Sequence, residues 1–450
     1  MIDRRTQPQC WGISHRIDMK VLALLIVLGV YAVAAKQSFH GHRLVSVIAK
    51  NKEQLDVLNG ILRTGEPWVD VWSFSGINRT SEIRVPPSSY GLFSRLMRTA
   101  NIPITIMEND IEMLLERARQ PSLGPHEKAS PYISWSGGYT THTAYKRYQS
   151  FVDIMDGMKS SFPNLVQEVG SLSPQTYEGR NIAYIKFGTG GSKPAIFIES
   201  LIHAREWISG GSIMYFMDRL VSRYSLDADA RYMLDNYDIY VVPVSNPDGY
   251  EYTHTSNRLW RKNRSQQQGN CRGVDLNRNF DAYWNTVGVS NQCSSDIYCG
   301  NSMFSEAEAQ AIRNKVAEIN SAGQKLLAYL AVHSYSQLLL TPYSYANVRP
   351  ENAGEVDNVA RLMNDALKAP FGSNYQWGHG PDVLYPVSGA SDDWAMLGGG
   401  ARYVYTYELR PRSSNPGFSL GPEHIIPNGY EFWLSMVAMA CNMNAGAPSC

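Results

Sequence analysis

The sequence predicts an α/β protein in which a mixed central β-sheet is flanked by helices and preceded by a small α+β module. Two observations lead to this prediction. Beyond residue 132, apolar strand-like runs alternate with helical stretches, which is the pattern of a sheet sandwiched between helices. Between residues 44 and 113, two strand-helix-strand units follow each other closely. The 450 residues are enough for one large domain and one smaller one.

The composition is that of an ordinary globular enzyme. Hydrophobic residues make up 44% of the chain and charged residues 18%. The 41 Lys and Arg residues balance the 41 Asp and Glu residues, so the formal net charge is zero. No overall field therefore points to nucleic acid or to an anionic membrane surface. We expect no nucleic-acid partner, no stable membrane association and a monomer.

The N-terminal residues predict export. Residues 22–33 form an apolar run that Lys20 precedes and Ala34-Ala35 follows, which is the pattern of a secretory signal peptide. We assign residues 1–35 to an upstream extension and this signal peptide, with Met1 or Met19 as the initiator, and expect a secreted, extracellular protein. The alternative is a retained membrane anchor, but the run is shorter than the roughly 20 apolar residues that a membrane span needs.

The order of predicted elements in the small module is that of a split βαβ sandwich of ferredoxin type. Its predicted elements are strand 44–49, helix 52–62, strand 68–74, strand 82–85, helix 90–100 and strand 104–107. A connecting helix over 110–119 is followed by the Pro- and Gly-containing segment 120–125. Basic residues beside such a segment favour proteolysis, and we expect a trypsin-like protease to cut after Arg117, Arg119 or Lys128. A plain interdomain linker is the alternative.

The large domain, residues 129–450, carries the alternating pattern. Its predicted helices cover 144–162, 207–224, 305–320, 356–369 and 429–442. Its predicted strands cover 166–171, 182–187, 195–200, 239–244, 326–332 and 402–409.

Two of these strands deliver candidate metal ligands. His203 and Glu206 follow the strand 195–200, and His333 follows the strand 326–332. Zinc binds imidazole nitrogen and carboxylate oxygen, and a catalytic zinc site has about three protein ligands with one position open. Side chains far apart in sequence meet when two parallel strands end side by side. The alternative for each His is an imidazole buried in the core.

A third strand ends in a carboxylate. Glu408 closes the aromatic strand 402–409, whose side chains alternate with a period of two. An acidic residue at a strand end is usually only solvated. Beside a zinc site, however, it is a candidate for the base that takes a proton from water.

Six motifs in order resemble the zinc metallocarboxypeptidases of the pancreatic carboxypeptidase A and B family in their secreted proenzyme form. The motifs are His203-Ala204-Arg205-Glu206-Trp207, Asn246-Pro247-Asp248-Gly249-Tyr250, Asn257-Arg258-Leu259-Trp260-Arg261-Lys262, Asp275-Leu276-Asn277-Arg278-Asn279, His333-Ser334-Tyr335-Ser336-Gln337 and Tyr407-Glu408-Leu409-Arg410. They extend over most of residues 132–440. The resemblance implies a carboxypeptidase-like fold, a single catalytic Zn²⁺, and residues 36–128 as a propeptide whose folded part inhibits the enzyme.

The resemblance also implies a role for individual residues. His203, Glu206 and His333 would bind zinc. Asp275 would accept a hydrogen bond from the ring N–H of His203 that does not bind the metal. Glu408 would act as the base, and Arg261 would hold the oxyanion. The implied substrate-binding residues are Arg205, Asn277, Arg278, Ser334, Tyr335, Tyr385 and Phe418. Among these, Arg278 with Asn277 falls where the family clamps the C-terminal carboxylate of a peptide, which is the expected substrate.

Asp392 decides the expected specificity. It falls at the pocket-floor position where B-type enzymes carry Asp and A-type enzymes an apolar residue. A buried carboxylate favours a ligand that brings a positive charge, so we expect preference for C-terminal Arg or Lys. The alternatives are an A-type enzyme that releases apolar or aromatic residues, and a relative that binds C-terminal peptides without cutting them. Pro411 and Ala390 depart from the family pattern and bear on selectivity.

The cysteines fit an exported protein. The resemblance implies a disulfide between Cys271 and Cys293. The pairing of Cys299, Cys441 and Cys450 stays open, since Cys441 could pair with Cys450 or one of these two could reach Cys299.

Overall fold

The computed structural model describes residues 36–64, 68–118 and 142–443. The predicted signal peptide, Arg119, Lys128 and Cys450 lie outside these residues. The described residues from Ser38 on belong to one compact unit. They contain two sheets: a four-stranded sheet of order β2-β3-β1-β4 and an eight-stranded sheet of order β11-β10-β12-β9-β7-β8-β6-β5. We refer to residues 36–64 and 68–118 as the N-terminal module and to residues 142–443 as the C-terminal module.

The N-terminal module has the predicted order of elements. They are β1 (Arg43–Ile48), α1 (Lys52–Thr64), β2 (Asp70–Ser73), β3 (Thr80–Val85), α2 (Pro87–Thr99), β4 (Ile104–Glu108) and α3 (Ile111–Ala118). All three strand pairs are antiparallel. Leu58 and Ile61 of α1 and Phe93 of α2 pack on Val45 and Ile83 of the sheet, which gives the module its own core. The chain therefore buries one face of each helix against one face of the sheet.

The large sheet is mixed, as predicted. Its strands are β5 (Val166–Leu172), β6 (Ile182–Phe187), β7 (Ala195–Ser200), β8 (Asp238–Val242), β9 (Leu326–Ser334), β10 (Leu338–Thr341), β11 (Gln376–His379) and β12 (Tyr403–Leu409). The four central strands, β12, β9, β7 and β8, run parallel. Antiparallel pairs flank them at β6 and at β10. All residues of β7 and β9 are buried, which explains their continuous apolar sequences.

Helices cover both faces of this sheet. They are α4 (Tyr148–Ser161), α5 (Trp207–Ser222), α6 (Ala228–Asn236), α7 (Pro247–Thr255), α8 (Ala307–Ser321), α9 (Ala353–Lys368), α10 (Gly380–Val383), α11 (Ser391–Leu397) and α12 (Ile425–Asn442). One core lies under α4, α5, α9 and α12, and a second lies under α8 and α11. No helix in the described ranges is long and apolar enough to cross a membrane.

The sequence did not predict the short elements. The helices α6, α7, α10 and α11 and the strands β10 and β11 were missed. Strands of four residues are too short to show a period, and α7 begins with Pro247-Asp248-Gly249, which resembles a turn. These elements are stabilised by tertiary contacts that a local pattern does not report.

The cysteine pairing is partly resolved by the structure. Cys271 and Cys293 form a disulfide, the pair that the family resemblance implies. Cys441 also takes part in a disulfide. Cys299 is a free, buried thiol, so the expectation that Cys441 or Cys450 could reach Cys299 is wrong.

Asn246 connects the loops that carry the site. This fully buried side chain caps α7 by accepting the N–H of Gly249 at 2.9 Å. Its amide donates to the carbonyl of Ile202 at 3.1 Å and to that of Lys262 at 3.0 Å. One side chain therefore holds the loop before His203 next to the loop that contains Arg261.

We predict that Asn246→Ala lowers the free energy of unfolding by about 3 kcal/mol, because it removes a helix cap and leaves two buried carbonyls without donors. Denaturant titration of both proteins measures this difference. Asn358→Ala, at an exposed position of α9, is the control and should stay within about 0.5 kcal/mol of wild type. Equal effects of the two substitutions would contradict the assigned role of Asn246.

Candidate active site

Three strand ends supply the centre of the site. The strands β7 and β9 are parallel neighbours, and His203 and Glu206 follow β7 while His333 lies near the end of β9. Glu408 of β12 is paired in register with His333. The parallel arrangement expected from the sequence thus brings residues more than 120 positions apart to one edge of the sheet.

His203, Glu206 and His333 form a buried group whose ligand atoms all lie within 4.8 Å of one another. Nδ1 of His203 lies 2.8 Å from one carboxylate oxygen of Glu206, and Nδ1 of His333 lies 3.2 Å from the other. The two Nδ1 atoms are 3.1 Å apart. Tetrahedral zinc with bonds of about 2.0–2.1 Å separates neighbouring nitrogens by roughly 3.3 Å, so these residues fit a zinc ion.

A second layer of charge orients these ligands. Nε2 of His203 lies 2.9 Å from Oδ1 of Asp275, as the resemblance implies. Arg261 donates to the other oxygen of Asp275 at 3.0 Å. Burial opposes ionisation of Asp275, but the guanidinium groups of Arg261 and Arg278 outweigh it and hold the pKa of its carboxyl well below its usual range. Asp275 is therefore an anion at neutral pH and a strong acceptor for His203.

Glu408 faces the same cavity as the three candidate ligands. Desolvation raises the pKa of its carboxyl to about 8, although part of the side chain is exposed to the cavity, and the His333 ring opposes this rise. A cation held by His203, Glu206 and His333 would favour the ionised form of Glu408, which is well placed to take a proton from a molecule bound in the cavity.

The cavity brings together twelve of the fourteen ligand-binding and catalytic positions predicted from the sequence. They are His203, Glu206, Arg261, Asn277, Arg278, His333, Ser334, Tyr335, Tyr385, Asp392, Glu408 and Phe418. The other two lie beside it: Asp275 behind His203, and Arg205 under the N-terminal module.

Arg278 and Asn277 form one wall of this cavity. Nε of Arg278 donates to the carbonyl of Gly288 at 2.9 Å, and the amide oxygen of Asn277 accepts the N–H of Ser391 at 2.9 Å. Gly389, at a φ of +76°, packs directly on the backbone of Arg278, and a Cβ atom there would collide with the Arg278 carbonyl. The glycine thus permits the close approach that fixes the position of Arg278.

Asp392, which follows Ser391, also lines the cavity and is 5% exposed. One of its oxygens accepts hydrogen bonds from Thr406 at 2.7 Å and Ser344 at 3.3 Å. The other oxygen is buried and has no hydrogen-bond partner among the described residues. Its neighbour Asp393 instead accepts the backbone N–H groups of Ser344 and Tyr345. Of this Asp-Asp pair, therefore, Asp392 faces the cavity, and Asp393 fixes the backbone at Ser344 and Tyr345.

The N-terminal module covers this cavity with β2 and the residue after it. Trp72, Ser73 and Phe74 line the cavity together with the ligand group. The ring of Trp72 packs against Phe418 at 5.3 Å, and the ring of Phe74 packs against Tyr385 at 5.3 Å. The module thus contacts side chains that were predicted to bind substrate.

Buried polar contacts hold the module in place. Both carboxylate oxygens of Asp70 lie 3.0 Å from Nη1 of Arg205, and Asp70 also accepts from Arg84 at 3.1 Å. Glu82 accepts the hydroxyl of Tyr335 at 2.9 Å. Sequence reasoning missed Asp70 and Glu82. The only signal was a charged residue within a short apolar strand, and its partner depends on how two modules dock.

Comparisons with known proteins agree with this geometry. A family model described as zinc carboxypeptidase matches residues 151–435, and one described as carboxypeptidase activation peptide matches residues 45–118. Carboxypeptidase A2 of Mus musculus is 35% identical over 420 residues, covering 93% of this chain and 97% of the relative. Carboxypeptidase B of Astacus astacus is 40% identical over 294 residues, covering 64% of this chain and 93% of the relative.

A solved structure shows the same likeness in three dimensions. The crystal structure of carboxypeptidase A from Helicoverpa armigera matches with a TM-score of 0.78 at 28% identity, covering 91% of this chain and 99% of that chain. The matched families cover both modules of the described structure. The chain therefore belongs to the zinc carboxypeptidase family and is a metallocarboxypeptidase that carries an N-terminal activation peptide.

Proposed function

We propose that this metallocarboxypeptidase is a secreted proenzyme that hydrolyses the last peptide bond of peptides and proteins ending in Arg or Lys. A single observation carries the specificity: the buried Asp392 presents an unpartnered carboxylate oxygen at the cavity wall. A buried carboxylate without an oppositely charged partner is costly, and a cationic side chain of the substrate would offset that cost. The alternative is an A-type enzyme, which the names of several relatives favour.

The proposed mechanism assigns one task to each group around the reacting bond. Zinc, when held by His203, Glu206 and His333, supplies Lewis acidity toward the scissile carbonyl and the attacking water. Glu408 takes a proton from that water and passes it to the leaving amine. The guanidinium of Arg261, fixed by Asp275, stabilises the oxyanion that forms on the carbonyl oxygen.

In this proposal, binding of the free C-terminal carboxylate of the substrate makes the enzyme an exopeptidase. Arg278, with Asn277, binds the free carboxylate of the last residue, because a planar guanidinium can form two parallel hydrogen bonds to it. Tyr385 closes over that residue, while Arg205, Ser334, Tyr335 and Phe418 contact the preceding part of the peptide. A peptide without a free C-terminal carboxylate would lose its hydrogen bonds to Arg278 and would bind poorly.

The N-terminal module keeps the proposed enzyme inactive until it is removed. Asp70 pairs with Arg205, and Trp72 and Phe74 line the cavity and pack against Phe418 and Tyr385. A trypsin-like protease would release it by cutting near the end of α3, where the side chain of Arg117 is 62% exposed. The protein would act as a monomer outside the cell.

We predict that Glu408→Gln lowers kcat of the protease-activated enzyme at least about 10³-fold while one zinc per chain is retained, because the amide cannot take the proton. Peptide hydrolysis and metal analysis of the same sample measure the two quantities. Glu355→Gln, at an exposed glutamate of α9, is the control. Unchanged hydrolysis by the Glu408 variant would remove Glu408 from the mechanism.

We predict that activated wild type cleaves peptides ending in Arg or Lys with a higher kcat/KM than peptides ending in Phe or Leu. Asp392→Asn should reduce kcat/KM for the basic peptides at least about 10-fold, since it removes the charge that pairs with the substrate. It should leave the Phe and Leu peptides within a few-fold. Asp382→Asn, at an exposed position nearby, serves as the control. A wild-type preference for Phe would favour the A-type alternative.

We predict that uncut Asp70→Ala protein hydrolyses peptides at least about 10-fold faster than uncut wild type, because breaking a buried ion pair weakens docking of the N-terminal module. The assay uses protein purified without an activating protease. Asp56→Ala changes an exposed aspartate of the same module and should not raise activity. Equal activities of all three uncut proteins would show that Asp70 does not hold the module on the cavity.

A further inference from the structure

The two histidines of the ligand group differ in the hydrogen bonding of their second ring nitrogen, Nε2. Nε2 of His203 lies 2.9 Å from Asp275. Nε2 of His333 is buried and has no hydrogen-bond partner among the described residues. Histidines that bind metal nearly always donate their second ring N–H to a carboxylate, a carbonyl or water, which fixes the tautomer and the ring orientation. His333 therefore needs an acceptor behind it.

Glu199 of β7 is placed to be that acceptor. It is paired in register with Ala331 of β9, and Ala331 and His333 lie on the same face of that strand, two residues apart. The side chains of Glu199 and His333 are therefore diagonal neighbours on adjacent strands, within reach of a long side chain. Burial is the main influence on the pKa of Glu199 and raises it to about 7, while the His333 ring is among the groups that oppose the rise.

One carboxylate oxygen of Glu199 accepts a hydrogen bond and the other does not. The side chain is fully buried, and its Oε1 accepts a hydrogen bond from the hydroxyl of Ser391 at the start of α11. Its Oε2 is buried and makes no hydrogen bond to a described residue, and the nearby Tyr329 hydroxyl makes none either, although it is among the groups that act on the pKa of Glu199. An unpartnered acceptor and an unpartnered ring nitrogen thus face the same buried region. Leaving both unpaired costs free energy that one hydrogen bond would recover.

We propose that Glu199 is a positioning residue of the zinc site and accepts the Nε2–H of His333 in the zinc-loaded protein. The inference rests on the proposed function, in which His203, Glu206 and His333 hold zinc. A hydrogen bond at Nε2 selects the tautomer whose Nδ1 lone pair is free to bind the metal. Because Ser391 precedes Asp392, Glu199 also links a metal ligand to the helix that carries the specificity residue.

Glu199→Gln tests this inference, because the amide keeps the size of the side chain but is a poorer acceptor. We expect zinc affinity, measured by competition with a chelator, to fall about 10- to 100-fold. Glu199→Asp, which keeps the charge, should fall less. Glu308→Gln is the matched control: this buried glutamate of α8 is not among the residues that line the cavity, its Oε1 also has no hydrogen-bond partner among the described residues, and its change should alter zinc affinity less than two-fold.

A second measurement needs no variant. In zinc-loaded wild type, nitrogen-15 NMR should show a slowly exchanging Nε2–H proton on His333. Wild-type zinc affinity in the Gln variant, or a rapidly exchanging or absent Nε2–H proton in wild type, overturns the role of Glu199. If the Gln variant does not fold, the wild-type spectrum decides alone. A wild type that binds no stoichiometric zinc would instead overturn the proposed metal site, so the two failures are distinguishable.

Discussion

The meeting of three donor atoms at the ends of two parallel strands is the constraint on which the site depends. Two imidazole nitrogens only 3.1 Å apart would repel each other if both presented lone pairs or both carried protons. A divalent cation between them and Glu206 removes this conflict. The pairing of β7 with β9 holds the ligands in place, because both strands are buried on both faces and their register is fixed.

The charges around this centre fall into two kinds. Some are satisfied within the chain, such as Asp275 between His203, Arg261 and Arg278. Others are satisfied only in part. Arg205 pairs with Asp70 of the N-terminal module at 3.0 Å and with Asp296 of the C-terminal module at 3.4 Å, and one oxygen of Asp392 has no hydrogen-bond partner among the described residues. In the proposed function, the free oxygen of Asp392 would pair with a basic side chain of the peptide.

Much of the central sheet could be predicted from the sequence. The strands Ile182–Phe187 and Ala195–Ser200 were predicted with the same bounds, because strands buried in a sheet are continuous apolar runs. The ligand group could be predicted because His203, Glu206 and His333 follow such runs. Asp70 could not be predicted, since its partner depends on docking between modules. Glu199 could not either, since one acidic residue in an apolar strand gives no indication of its neighbours on the sheet.

Metal analysis combined with anomalous X-ray scattering of the protease-activated protein tests the central claim most directly. The account predicts one zinc per chain, at about 2.0–2.2 Å from Nδ1 of His203, Nδ1 of His333 and the carboxylate of Glu206. Activated protein that contains no stoichiometric zinc, or an anomalous peak bound by other residues, would contradict it.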